Sequence, residues 1–247
     1  MFFGTVILCQ LFICKFVVYG WNQKRKYQTN ISLKVVRVIR KDELESMSSC
    51  EVEKIIYETL FCNENENLID TYRQKDKAVG LEGLLYRCAD CGALYTTKGH
   101  GNTLVCSACG ARHTLNEKYL FEDSGKSIAD YYYSIKALEA PELDTFEFKV
   151  KVKTKIFGEF GGPIRWENGE CLLNSREFGY RSDKEDFTIP TEELPALAFS
   201  CNEEFELYHN NELHYFYPEE NRVQAARWAL LVDMLAERRR KVKGETG

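Results

Sequence analysis

Catalytic signatures are what this sequence lacks. Its 247 residues hold no G-x-G-x-x-G, no Walker loop, no G-x-S-x-G and no H-E-x-x-H. The local signs of dinucleotide binding, nucleoside triphosphate hydrolysis, serine hydrolysis and zinc proteolysis are therefore missing. Histidine is scarce, with only His100, His113, His209 and His214. None has an aspartate five positions later, so the H-x4-D dyad of acyl transfer is absent. His214 has Glu219 at that place, but Pro218 ends the strand between them. His209 and His214 flank a predicted turn and come near each other, yet no third ligand for a metal is indicated. A large charge of one sign is missing too: the net charge of −5 argues against a dedicated nucleic-acid binder.

A long uninterrupted apolar run is also lacking. The opening MFFGTVILCQLFICKFVVYG is broken by Gln10 and Lys15, which poorly suits a spanning helix of about 20 apolar residues. No basic segment precedes it, as a secretory signal requires. Two readings stay open: one or two buried strands, or a membrane-associated segment whose cytoplasmic end is held by Lys24, Arg25 and Lys26.

Cysteine is plentiful, at ten residues. Six are scattered without pairing logic, which suits a reducing cytoplasm better than a disulfide framework. The other four form the chain's central motif. Cys88 and Cys91, then Cys106 and Cys109, make two C-x-x-C pairs 14 residues apart, each followed by glycine, Gly92 and Gly110. A C-x-x-C-G turn lets two thiolates converge while backbone N–H groups point at the sulfurs, and glycine accepts the positive φ that follows. Two such knuckles build a tetrahedral four-thiolate site, a coordination that structural Zn2+ takes with Zn–S near 2.3 Å. Four sulfurs close the shell, so His100 and His113 are not needed and no reactive water has a place. Two redox or disulfide pairs are the blander reading of the same cysteines, though a reactive pair needs no twin.

Along the chain, residues 32–39 read as a strand and residues 41–47 as a polar turn. Ser48 or Ser49 caps a helix through Leu60. Residues 63–67 read as a loop and 69–77 as a short helix, broken at Gly80 and Gly83. After the cysteines, Ser127 caps a helix to about Ala140, stopped by Pro141; consecutive Tyr131, Tyr132 and Tyr133 cannot all be buried on it. FEFKVKVKTKIFG alternates with period two. Phe146, Phe148, Val150, Val152 and Ile156 lie on one face and a row of lysines on the other, a half-buried antiparallel strand. Short strands are expected near residues 164–166, 171–173, 178–180, 187–189 and 196–200. A hairpin follows, turning at Asn210-Asn211. Residues 221–241 read as a helix with Ala225, Trp228, Leu231, Val232 and Leu235 as its apolar stripe, packed on residues 146–217 and not on the ribbon.

Two basic features remain, the lysine face of the long strand and the run Arg238–Lys241 with Lys243. Anionic lipid attracts such clusters. Acidic residues outnumber basic ones, however, which favours a solvated strand face and cations placed at a helix C-terminus.

Four stretches resemble the C-terminal portion of bacterial 1-acyl-glycerol-3-phosphate acyltransferases that carry a four-cysteine ribbon and a β-rich tail. SLKVVRVIRKDELESMSSCEVEKIIYETLF is similar to the end of the acyltransferase domain. GLLYRCADCG and TLVCSACGARHTLNE are similar to the ribbon, and IADYYYSIKA to the helix after it. The resemblance implies phospholipid synthesis, with the catalytic histidine and aspartate in an upstream half that this chain does not contain. Only Cys88, Cys91, Cys106 and Cys109 carry over, as zinc ligands.

The expected architecture is α+β, with an acyltransferase-like α/β remnant over 1–80, a zinc ribbon over 84–122 and a linker helix over 123–145. A pleckstrin-homology-like antiparallel β domain with a C-terminal helix follows over 146–241. The expected role is the ribbon-bearing part of a truncated acyltransferase-like protein, itself without catalytic residues. The alternative is a stand-alone module contacting a protein partner or an anionic membrane. The expected location is the cytoplasm, with peripheral contact at the inner face of the membrane.

Overall fold

A computed structural model describes residues 6–12, 32–60, 73–158, 164–201, 203–219 and 224–243. These divide into two compact units, one ending at Gln74 and the other running on from Lys75. The loop expected at 63–67, most of residues 1–30 and the start of the predicted helix at 69–77 lie outside the described residues.

In the first unit, strands β1 (Val6–Phe12) and β2 (Ser32–Ile39) pair antiparallel. Strand is thus the outcome for residues 6–12 of the opening run. Helix α1 (Lys41–Glu45) replaces the expected polar turn. Its first-turn Asp42 and Glu43 suit the positive end of the helix dipole. Helix α2 (Ser49–Leu60) is capped by Ser48: the Ser48 Oγ accepts from the Glu51 N–H, and the Glu51 carboxylate accepts from the Ser48 N–H at 2.8 Å.

The second unit mixes helix and sheet. After a 3-10 turn at Leu81–Gly83 comes a small antiparallel sheet of β3 (Thr97–His100), β4 (Thr103–Cys106) and β5 (Arg112–Thr114), in that order. Residues 73–77 are not helical. Helix α3 (Ile128–Glu139) starts at a capping box between Ser127 and Asp130 and runs into a second 3-10 turn at Pro141. Of the three tyrosines, Tyr131 is buried and Tyr133 exposed, as helical spacing demands.

Seven antiparallel strands follow: β6 (Glu147–Phe157), β7 (Ile164–Asn174), β8 (Glu177–Ser182), β9 (Asp186–Pro190), β10 (Ala198–Phe199), β11 (Phe205–His209) and β12 (Glu212–Pro218). Their order is β10-β11-β12-β6-β7-β8-β9. A four-strand meander comes first, then a three-strand meander whose last strand pairs with β6. The sheet is strongly curled. Five strand spacings of about 4.8 Å would hold β11 and β9 about 24 Å apart in a flat sheet. Yet the His209 ring of β11 stacks on the Phe187 ring of β9 with centroids 4.2 Å apart.

Two expectations change. Residues 164–166 and 171–173 belong to one strand, not two. Asn168-Gly169 looks like a turn, but Gly169 pairs with both Val152 and Ser182 inside the sheet. A Cβ there would meet the Arg181 carbonyl oxygen and the Tyr180 ring at 2.6 Å, so the glycine answers a close approach and not a bend. The buried row of β6 also contains Thr154, between Val152 and Ile156. The hairpin turn is as expected, with Asn210 and Asn211 both at positive φ.

Helix α4 (Gln224–Lys243) closes the unit. Trp228 is fully buried, stacked on Phe205 at 4.9 Å and edge-on to Phe178 at 6.3 Å. The helix is not confined to the sheet, however. Arg227 reaches Glu139 at 2.9 Å and Glu142 at 3.1 Å; Arg87, at the start of the ribbon, binds the same two carboxylates at 3.3 and 2.9 Å. Lys136 of α3 and Glu237 of α4 pair at 2.6 Å. The apolar stripe packs on the sheet, and the charged face adds contacts to α3 and to the 3-10 turn that follows it. Trp228→Ala is expected to cost about 3–5 kcal/mol in denaturant unfolding. Sheet and ribbon should lose structure in one transition. A variant whose sheet melts while the ribbon keeps its metal would show them to be independent.

Candidate metal centre

Cys88 and Cys91 flank the turn after Arg87, which bridges to Leu94; Cys106 and Cys109 flank the turn between β4 and β5. The two turns share one hydrogen-bond pattern. Cys88 N–H donates to the Ala93 carbonyl and Gly92 N–H to the Cys88 carbonyl, each at 2.9 Å. Cys106 N–H donates to the Ala111 carbonyl and Gly110 N–H to the Cys106 carbonyl, also at 2.9 Å. Gly92 and Gly110 have φ of 74° and 80°, the left-handed conformation expected after the second cysteine.

The knuckles bring four sulfurs together, all within 4.8 Å of one another. Cys88 and Cys109 Sγ are 3.8 Å apart, and Cys91 and Cys106 Sγ are 3.9 Å apart. A disulfide would need about 2.05 Å. The edge of a tetrahedron with 2.3 Å metal–sulfur bonds is about 3.8 Å, so these two spacings fit a shared ion. Burial pushes the Cys88 thiol up to about 12, which opposes thiolate formation unless a cation supplies the balancing charge. The four cysteines are positioned to hold a metal ion, and no open coordination place is left for a substrate.

The surroundings lock the first knuckle in place. His113 Nε2 meets Asp90 at 2.7 Å, and its Nδ1 meets Asp123 at 2.7 Å. Burial disfavours the charged ring, but hydrogen bonds to Asp123 and Asp90 prevail and raise its pKa. His113 is thus a brace beside the sulfurs and no part of their cluster. Tyr131 of α3 lies edge-on to His113 at 5.4 Å, and its hydroxyl accepts from the Ala89 N–H at 3.1 Å. His100, at the end of β3, is not among the clustered ligand atoms.

Residues that sequence reasoning did not single out gather inside the curled sheet. Arg165 binds Glu167 at 3.0 Å, Glu212 at 2.5 and 2.7 Å, and Glu185. His214 Nε2 meets Glu185 at 3.0 Å. Glu185 and Glu212 bring two carboxylates within 4.8 Å of His214, while His209 is not part of that group. Their only signal there was acidity, which is no signal in a chain with 38 acidic residues.

The chain matches no protein-family model and no curated protein. Among the described residues, no helix is long and apolar enough to cross a membrane.

One metal ion per chain is expected at the four cysteines by elemental analysis. Cys109→Ser should weaken its retention, and chelation should unfold the ribbon, because metal-binding free energy in small sites of this kind is folding free energy. Metal-free protein with an unchanged fold would contradict both.

Proposed function

We propose that the chain is a binding module in which a structural zinc ion locks a ribbon against a pleckstrin-homology-like β domain, and that the outer face of that domain docks on an anionic membrane surface. Zinc is the ion that suits four thiolates in two C-x-x-C-G knuckles with this sulfur spacing. The domain reading is supported by the 4 + 3 meander order, with strand seven beside strand one and a terminal helix on the aromatic core.

The observation that carries the docking is an exposed aromatic and lysine patch on the convex face. Ile164, Trp166 and Tyr208 are 52, 49 and 60 % exposed. Trp166 pairs across the strands with Lys155, which pairs in turn with Tyr215. Lys153 Nζ lies 4.8 Å from the Trp166 ring centre, and Lys155 Nζ 4.5 Å from that of Phe157. Aromatic rings beside lysines are the chemistry of the bilayer interface, where the ring enters the headgroup layer and the ammonium meets phosphate. A water-facing sheet has little reason to gather such a patch.

Protein mixed with vesicles containing phosphatidylserine should co-sediment at low salt and be released as salt rises. Replacing Lys153 and Lys155 by glutamate should weaken binding by more than about 1 kcal/mol per position, and Trp166→Ala should weaken it further. Failure to bind at low salt, or binding indifferent to all three changes, would make the face a protein-contact surface instead.

A second reading, favoured by the four stretches quoted above, makes the chain the ribbon and tail of an acyltransferase-like protein of phospholipid synthesis. The transferring residues would then belong to another segment. Purified chain is expected to transfer no acyl group from acyl-CoA or acyl-carrier protein to lysophosphatidic acid, and measurable transfer would overturn the absence of catalytic residues.

A further inference from the structure

We propose that Glu185, Glu212 and His214 form a second metal site, inside the mouth of the curled sheet, for one divalent transition-metal ion. The three side chains come from the β8–β9 turn and from β12, and their ligand atoms all lie within 4.8 Å of one another. An imidazole with two carboxylates is a donor set for zinc, manganese or iron, distinct from the four sulfurs of the ribbon.

Charge favours a cation here. Three carboxylates, Glu167, Glu185 and Glu212, converge on the single guanidinium of Arg165. Against Arg165 alone two negative charges are left over, and one still is when His214 is protonated beside Glu185; the three side chains are 3, 21 and 27 % exposed, so water screens weakly. A plain ion-pair network would balance its charges more closely.

The histidine supplies the third donor. His214 is 1 % exposed, and the nitrogen it turns toward the carboxylates is Nε2, 3.0 Å from Glu185. That nitrogen is the one it would offer to an ion. Access exists as well. A pocket of about 270 Å3 opens onto Glu185, Glu212 and His214, walled by Phe187 and His209. Water from the pocket can complete the coordination. Arg165 does not bar the ion, since Glu167 remains its partner when the other two carboxylates turn to the metal.

The test is zinc titration of protein whose ribbon is already loaded and whose free metal has been dialysed away. Calorimetry and metal counting should find one further ion per chain. Glu185→Gln and Glu212→Gln, both at part-exposed positions, should each weaken that ion by about tenfold or more, in the range expected for disturbing a metal's ligands. Both should leave the ribbon ion in place. His214→Ala should abolish the further ion; because His214 is buried, the two glutamine variants decide the matter if this one fails to fold. No further ion in the wild type, or one indifferent to both glutamine changes, overturns the second site and leaves the ribbon untouched.

Discussion

Glu139 holds the second unit together. Its carboxylate is fully buried between Arg87 at the start of the ribbon and Arg227 of α4. A lone carboxylate in that position would cost several kcal/mol, and removing either partner of such a pair typically costs about 3–5 kcal/mol. The constraint therefore acts on three elements at once. The first knuckle, the end of α3 and the first turns of α4 must all arrive for Glu139 to be tolerated. Arg87 also donates from Nε to the Gly92 carbonyl at 2.9 Å, so the guanidinium that steadies Glu139 also steadies the loop carrying Cys88 and Cys91. Arg227 lies over Phe148 of β6, its guanidinium carbon 4.7 Å from the ring centre, which carries the same cluster into the aromatic core.

That linkage explains how a small metal site and a curled sheet behave as one body. The ribbon sheet has three strands of three or four residues, too few to bury a core of their own. It leans on α3, whose Tyr131 covers the first knuckle, and an ion held by the four cysteines would add to that support. The curled sheet stands on a larger base, with Phe178, Phe205, Phe216 and Trp228 packed edge-to-face and stacked, each ring within 6.3 Å of at least two of the others. The buried charges make the metal-dependent part answerable to the metal-independent one.

Local features were legible in the sequence. Both knuckles, the capping serines at 48 and 127, the alternation along β6 and the Asn210-Asn211 turn depend on residues within a few positions of one another, and they stand where spacing placed them. What the sequence hid was non-local. Arg165 and Glu212 are 47 positions apart, and Arg87 and Glu142 are 55 apart; nothing in either neighbourhood names the other. The same limit explains Gly169, whose reason for being glycine is the Tyr180 ring on the next strand. It explains α4 as well: its apolar stripe predicted the sheet contact, while Arg227, one charge among many, gave no hint of Glu139.

The two donor sets also divide the chemistry of the molecule. Four sulfurs on two rigid turns leave no coordination place, and their neighbours His113 and Asp90 are already paired with each other. Such a centre suits holding a shape rather than binding a substrate. The carboxylates and imidazole in the curled sheet are hard or borderline donors, open to a pocket, with a guanidinium as internal counter-charge that can keep Glu167 and release the rest. An ion there would come and go with its concentration, and each arrival would redistribute the contacts of Arg165 on β7. Trp166, the next residue of that strand, points to the opposite face, into the lysine and aromatic patch. Successive strand residues share one backbone, so a shift of Arg165 toward Glu167 would be felt directly beneath that patch. Of the two donor sets among the described residues, the one in the curled sheet is therefore the one open to adjustment.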